Sequence, residues 1–272
     1  MPSYVPLSRQ QHQYAAIQPQ QSMAFAQQQA VVPVLAEEVP HVLPTMPLAF
    51  IQPVAELTDT FALVGLQSFL PDDNLYLHPD GRWLGGYQPA AYRGHPFKLI
   101  PEESSDRLVL CIDTQSPAFH AQSEEGDIAL FDATGEPSQQ VKNTLEFLQQ
   151  VHQGKQITAK AVQQLAQAGL LEPWLLNIQM SQGEQNRGHT QLQGLFRINE
   201  AALKQLKGDQ IEPLVRSGAL SLAYAQLLST HRLSGLARLH DLRQKIQQQL
   251  APQQEINLDQ VFGEDGGDVF KF

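Results

Sequence analysis

The stretch Pro71–Ile100, PDDNLYLHPDGRWLGGYQPAAYRGHPFKLI, constrains the fold more than any other part of the chain. In it, Leu75–Leu77 and Arg82–Leu84 flank His78-Pro79-Asp80-Gly81. Proline presets φ at one turn position and glycine supplies a positive φ at another, so the spacing predicts a hairpin. Gly85 and Gly86 then sit between Trp83 and Tyr87. Two readings follow. In one, the glycine pair is a bulge at the hairpin end and the aromatics pack onto a sheet. In the other, the missing Cβ atoms open a groove in which a ligand approaches the backbone. The groove reading nominates Trp83, Gly85, Gly86, Tyr87, Tyr92 and Arg93 as a candidate binding surface, with Asp113 and Glu172 as more distant contributors. No G-x-G-x-x-G spacing or Walker lysine is present, so this is not a phosphate loop.

Around this block the first half reads as β-rich. Met46–Ile51 and Thr60–Leu66 are apolar runs separated by turn chemistry at 53–59, and they are expected to pair. Phe97–Ile100 and Leu108–Ile112 add two strands around an acidic turn. The second half reads as helical. Val141, Leu145, Leu148 and Val151 recur at helical spacing between Ser138 and Gly154. A second helix is expected from an N-cap at Thr158 to Gly169. The period then changes to two: Trp174, Leu176, Ile178 and Met180 alternate, as do Leu192, Gly194, Phe196 and Ile198, with a polar loop between. Long helices follow at Ala219–Leu228 and Leu236–Leu250. The expected class is α+β: a mainly antiparallel sheet from the N-terminal half plus the later hairpin, covered by helices of the C-terminal half. Residues 1–250 are expected to form one domain, with a break near Gly135 as the alternative, and 251–272 an acidic tail.

With 272 residues and a 42% apolar content, the chain can bury a substantial core. A net charge of −10 argues against affinity for nucleic acid phosphates or anionic lipid. Cys111 is the single cysteine, so no intramolecular disulfide and no cysteine-based zinc site can form; the Leu108–Asp113 context reads as a buried strand with an inert thiol. The opening MPSYVPLSRQQHQ lacks the apolar run of a cleaved secretory signal. No stretch approaches the roughly eighteen apolar residues of a membrane span. The default compartment is the cytoplasm, with export through an uncleaved C-terminal signal as the alternative.

Few constellations carry chemistry. His78-x-Asp80 matches half of a two-histidine, one-carboxylate metal site, but Pro79 and Gly81 make it a turn first. Glu172 reads as solvated or paired with a cation. His231, Arg232, Arg238, His240, Arg243 and Lys245 form a basic helix face, either solvated or a docking surface for something acidic. The acidic tail lacks EF-hand spacing. Its last five residues, Asp268–Phe272, have an acidic-then-apolar pattern similar to type I secretion signals. No nucleophile elbow, zinc-protease pair or Ser/His/Asp order is present. No catalytic residue, cofactor or metal is assigned.

Several ordered segments together resemble the bacterial SapC family. They are Tyr4–Ser8 (YVPLS), Asp80–Tyr87 (DGRWLGGY), Pro96-Phe97, Cys111–Asp113 with Ser116-Pro117, Gly169–Trp174 (GLLEPW) and Ser217–Ser229 (SGALSLAYAQLLS). The resemblance implies a bacterial protein linked by name to surface-layer formation and serum resistance. It also implies a gene neighbourhood of outer-membrane receptors, flavin halogenases and cupin-like oxygenases, and it transfers no catalytic residue. The expectation drawn from it is a non-enzymatic accessory or binding protein of a surface-layer or surface-modification system, with a protein partner. The alternatives are an enzyme or substrate-binding partner in a cupin or halogenase cassette, and an exported surface-layer subunit.

Overall fold

A computed structural model of the chain describes residues 2–19, 22–53, 60–102, 107–182 and 186–250. The acidic tail, the secretion-like C-terminus and the turns expected at 54–59 and 103–106 lie outside the described residues. The first half is β1 (Tyr4–Pro6), α1 (Arg9–His12), β2 (Ala16–Ile17), β3 (Val31–Pro33), α2 (Val39–Val42), β4 (Leu48–Ile51) and β5 (Ala62–Leu66). After the signature block come α3 (Ala90–Arg93), β6 (Phe97–Pro101), β7 (Leu108–Asp113), β8 (Phe119–His120) and β9 (Ile128–Ala129). The rest is α4 (Gln139–Gln167), β10 (Leu171–Pro173), β11 (Leu176–Gln182), β12 (Asn186–Leu192), β13 (Leu195–Ile198), α5 (Glu200–Lys204), α6 (Gly208–Arg216), α7 (Ala219–Ser229) and α8 (Leu233–Leu250).

The class is α+β, as expected, and the pairings are antiparallel. The strands form several small sheets rather than one: β10-β13-β4-β5-β3, β1-β7-β6, β8-β2-β9 and the ribbon β11-β12. The expected partners β4 and β5 do pair, with Leu48 opposite Gly65 and Ile51 opposite Ala62. The expected later hairpin is divided: β11 and β12 pair only with each other as a separate ribbon, and it is β13, with β10, that joins the main sheet, Phe196 lying opposite Phe50 on β4. Leu48, Ala49 and Phe50 are fully buried, so β4 is the spine of the main core.

Helix α7 closes that sheet where the β4–β13 ladder ends. Ser229 Oγ accepts the Leu48 amide at 2.9 Å, and Gln226 Oε1 accepts the Ile198 amide at 2.9 Å while its Nε2 donates to the Leu48 carbonyl. Buried backbone groups left unpaired cost about 1–3 kcal/mol each. Gln226 and Ser229, polar letters inside the apolar Ser217–Ser229 run, therefore serve the sheet.

The two helices expected on either side of Gly154 are one helix of 29 residues, α4. Gly154 does not end it. A Cβ there would sit 3.1 Å from both Leu35 Cδ1 and Glu37 Oε1, so the glycine admits the neighbouring segment. Thr158 is not an N-cap. Its hydroxyl donates to the Gly154 carbonyl at 2.7 Å and accepts the Ala36 amide at 2.8 Å. The true start is Ser138, whose side chain accepts the Val141 amide, and the end is Gly169 at φ +66°.

A second, smaller core gathers Ala15, Ile17, Phe97, Ile112, Leu130 and Val141 under α4. Cys111 is buried on β7, where burial pushes its thiol upward in pKa. Of the basic face, His231, Arg232, Arg238 and Lys245 are exposed, and two residues are drawn inward. Arg243 donates to the Asn74 and Leu77 carbonyls, and His240 is buried. Among the described residues no helix is long and apolar enough to cross a membrane.

Candidate functional site

The block around His78 forms its turn but only a fragment of the hairpin. Gly81 N–H donates to the His78 carbonyl at 2.8 Å and Gly81 has φ +86°, as the sequence requires. The flanking segments meet in a single bridge, Leu77 to Trp83. Asp80 is held by Arg82 at 2.7 Å and His78 at 2.9 Å. Hydrogen bonds from the Arg82 amide and side chain keep the Asp80 carboxyl down at about 2. Among the described residues no three His, Cys, Asp or Glu side chains are grouped to hold a metal ion.

Beyond the turn the ring of Trp83 folds back. It stacks on Tyr76 with centroids 5.6 Å apart, meets Tyr92 edge-on, and donates from Nε1 to the Tyr87 carbonyl at 3.0 Å. Gly85 makes room for it: a Cβ there would lie 2.7 Å from Trp83 Nε1. Gly86 has open space instead, with nothing within 4 Å of such an atom. The glycine pair therefore combines both readings, one residue serving packing and the other leaving the backbone approachable.

Tyr87 and Arg93 converge on a residue that the sequence did not flag, Glu38, which is 3% exposed. Glu38 Oε1 accepts the Tyr87 hydroxyl at 3.0 Å and the Ala90 amide at 2.5 Å, while Oε2 accepts the Leu35 amide at 3.0 Å. Arg93 donates to the Tyr87 hydroxyl at 2.7 Å and stands 3.7 Å from the Glu38 carboxylate. Its guanidinium lies over the rings of Tyr87 and Phe147, and Tyr87 stacks on His41. Burial, reinforced by Glu38, pushes the Tyr87 phenol up to about 12, so it is a permanent donor at neutral pH. Tyr92 is buried, donates to Gln67 at 2.5 Å, and is raised by burial. Glu38 stands 49 residues before Tyr87. No spacing rule links them; the one local signal is an acidic residue three positions after Leu35, whose amide it caps.

Asp113 and Glu172 do not join this cluster. Glu172 pairs with Arg197 at 2.8 Å across β10–β13 and lines a cavity of about 830 Å³ with Trp174, Tyr224 and His231. Asp113 is buried at the end of β7, where Oδ1 accepts the Ser3 and Gln115 amides.

Asp113 belongs to a second region, built where β6 and β7 meet the 22–29 segment. His95 stacks on Phe25 at 3.8 Å, nearly parallel, and its Nε2 lies 2.9 Å from Ser116 Oγ. Burial lowers the His95 pKa, with the charge of Asp113 working against the shift. Phe25 and His95 together form a wall common to three cavities of about 290, 170 and 510 Å³. Ser116 and Asp113 border the third, and Lys98 and Lys155 border the first.

Ser, His and Asp thus come together although their order in the sequence gave no sign of it. The geometry is not that of an activated nucleophile. Ser116 is 6% exposed and its Oγ is also bonded by the Ala118 amide, while the Asp113 oxygen faces backbone amides. The trio pins the turn after β7 against the His95–Pro96 step.

Compared with known proteins, the chain matches the SapC family model over residues 7–236. No curated protein and no solved structure matches it. The chain belongs to the SapC family.

Proposed function

We propose, from that membership, that the protein is a non-enzymatic accessory or binding protein of a bacterial surface-layer or surface-modification system, acting with a protein partner. The observation that carries the non-enzymatic part is the occupancy of Glu38. Its carboxylate is buried and already bonded by Leu35, Tyr87 and Ala90, with Arg93 alongside. A general acid or base needs a face turned toward substrate, and Glu38 has none to offer. The Trp83–Arg93 block is then the rigid frame of a binding protein.

The test is fractionation of the native host combined with a pull-down that leaves the C-terminus untagged. The reading expects the chain in the surface fraction or medium, or bound to a component of a surface system. Recovery from the cytosol alone, with a flavin or cupin-like enzyme attached, would replace it with the cassette-partner reading. For an exported subunit, removing Asp268–Phe272 would abolish export while the full chain is exported.

A further inference from the structure

The cavity of about 290 Å³ between α4 and β6 differs from the rest of this acidic surface. Part of its lining is apolar or aromatic, from Phe25, Tyr92, Phe97, Leu148 and Val151, and the rest is polar, including Gln29 and His95. Its rim carries Lys98, Lys155 and His152. The ring of His95 adds a neutral wall, since burial disfavours its charged form.

The two lysines are the informative pair. Both are exposed, and no described carboxylate lies within 4.0 Å of either ammonium. Lys98 Nζ lies over the Tyr4 ring at 5.4 Å. Glu37 packs beside Gly154, next to Lys155, without pairing with it. Partial burial in the cavity wall, followed by the charge of Lys98, pushes the Lys155 ammonium below the ordinary lysine range. Among the described lysines only Lys204 is in an ion pair, with Glu200; what sets Lys98 and Lys155 apart is that both line one cavity. Two ammonium groups lining one cavity make a local positive site in a chain of net charge −10, a place where an entering anion gains Coulomb energy.

We propose that this cavity binds a small organic anion, with its oxyanion head between Lys98 and Lys155 and a compact apolar body against Phe25, Phe97 and Leu148. At about 30 Å³ per water-sized unit, the space takes a body of roughly ten non-hydrogen atoms. The head is met by two point charges rather than a bidentate fork, which suits a carboxylate or a phosphate monoester alike. The inference goes beyond the surface-accessory reading: the site can fail while the fractionation result stands, and the reverse.

The experiment is isothermal titration of the full chain with phenylacetate, its neutral analogue 2-phenylethanol, and inorganic phosphate. Phenylacetate is expected to bind with Kd of about 1 mM or tighter, a fair value for a ligand of this size. The neutral analogue and phosphate should each bind at least tenfold more weakly, because each supplies only half of the complement. The Lys98→Gln/Lys155→Gln double variant should lose at least tenfold toward phenylacetate, and the Lys98→Arg/Lys155→Arg variant should retain most of it. Both lysines are exposed, so unchanged urea midpoints would show that the variants are folded. Equal binding of the alcohol, equal binding of phosphate, an unaffected glutamine variant, or no saturable binding of phenylacetate would each overturn the proposal.

Discussion

The Trp83–Arg93 block and the α4–β6 cavity stand side by side, with Tyr92 shared between them, yet they treat charge in opposite ways. In the block, the Glu38 carboxylate is enclosed by three hydrogen bonds and the Arg93 guanidinium. In the cavity, two ammonium groups line a partly aromatic hollow, and no described carboxylate is ion-paired with either. A self-satisfied network fixes one geometry and has little left for a ligand. An unsatisfied pair next to a hollow retains its capacity to bind. On the proposal made above, the more conspicuous sequence is the scaffold and the inconspicuous lysines are the recognition site.

The largest effect that tests this contrast is expected at Glu38. Glu38→Ala leaves the Leu35 and Ala90 amides and the Arg93 charge unanswered, and should cost about 3 kcal/mol, read as a fall in the urea midpoint. A change below about 0.5 kcal/mol would mean that the block is not a frame. Next is the glycine pair. Gly85→Ala drives a Cβ against the Trp83 indole and should cost about 2 kcal/mol. Gly86→Ala meets open space and should stay within about 0.5 kcal/mol. Equal costs would remove the assignment of separate roles to the two glycines.

This pair also shows what the sequence could and could not convey. The turn at His78–Gly81, the β4–β5 and β6–β7 pairs, the caps at Ser138 and Gly169, and the α+β class follow from local chemistry and periodicity, and they are present. Gly154 and Thr158 misled because a glycine that admits a neighbouring segment and a threonine that bonds backward within a helix carry the same letters as a helix stop and start. The roles of Gln226 and Ser229 emerge only once α7 is laid across the end of the β4–β13 ladder. Of the eight nominated residues, six do adjoin in the block, since sequence neighbours on a tight turn stay neighbours in space. Asp113 and Glu172 lie on other strands, and neither Glu38 nor the lysine pair was legible, because each depends on elements brought together from distant parts of the chain.

A smaller effect concerns His95. Its pKa is lowered in the folded chain, so the native state resists protonation. Its contribution is present above the unfolded value of about 6.5 and declines as pH falls through it. His120 has the opposite sign: the hydrogen bond to Asp127 raises it, and that contribution is lost as pH rises through the folded pKa. The loss of stability between pH 7 and 5.5 should therefore be smaller in His95→Asn than in the parent chain, while His120→Asn should enlarge it. Identical pH profiles for parent and His95→Asn would contradict the buried placement of that ring.

The smallest stability effect is expected for Lys155→Gln, within about 0.5 kcal/mol of the parent, and it is the variant that separates the two regions most sharply. The decisive measurement is one phenylacetate titration on three folded proteins: the parent, Arg93→Gln and Lys155→Gln. If the block is frame and the cavity is site, Arg93→Gln loses stability but binds within about twofold of the parent, and Lys155→Gln keeps its stability but binds several-fold more weakly. Loss of binding in Arg93→Gln with binding retained in Lys155→Gln would reverse the assignment and return recognition to the Trp83–Arg93 block.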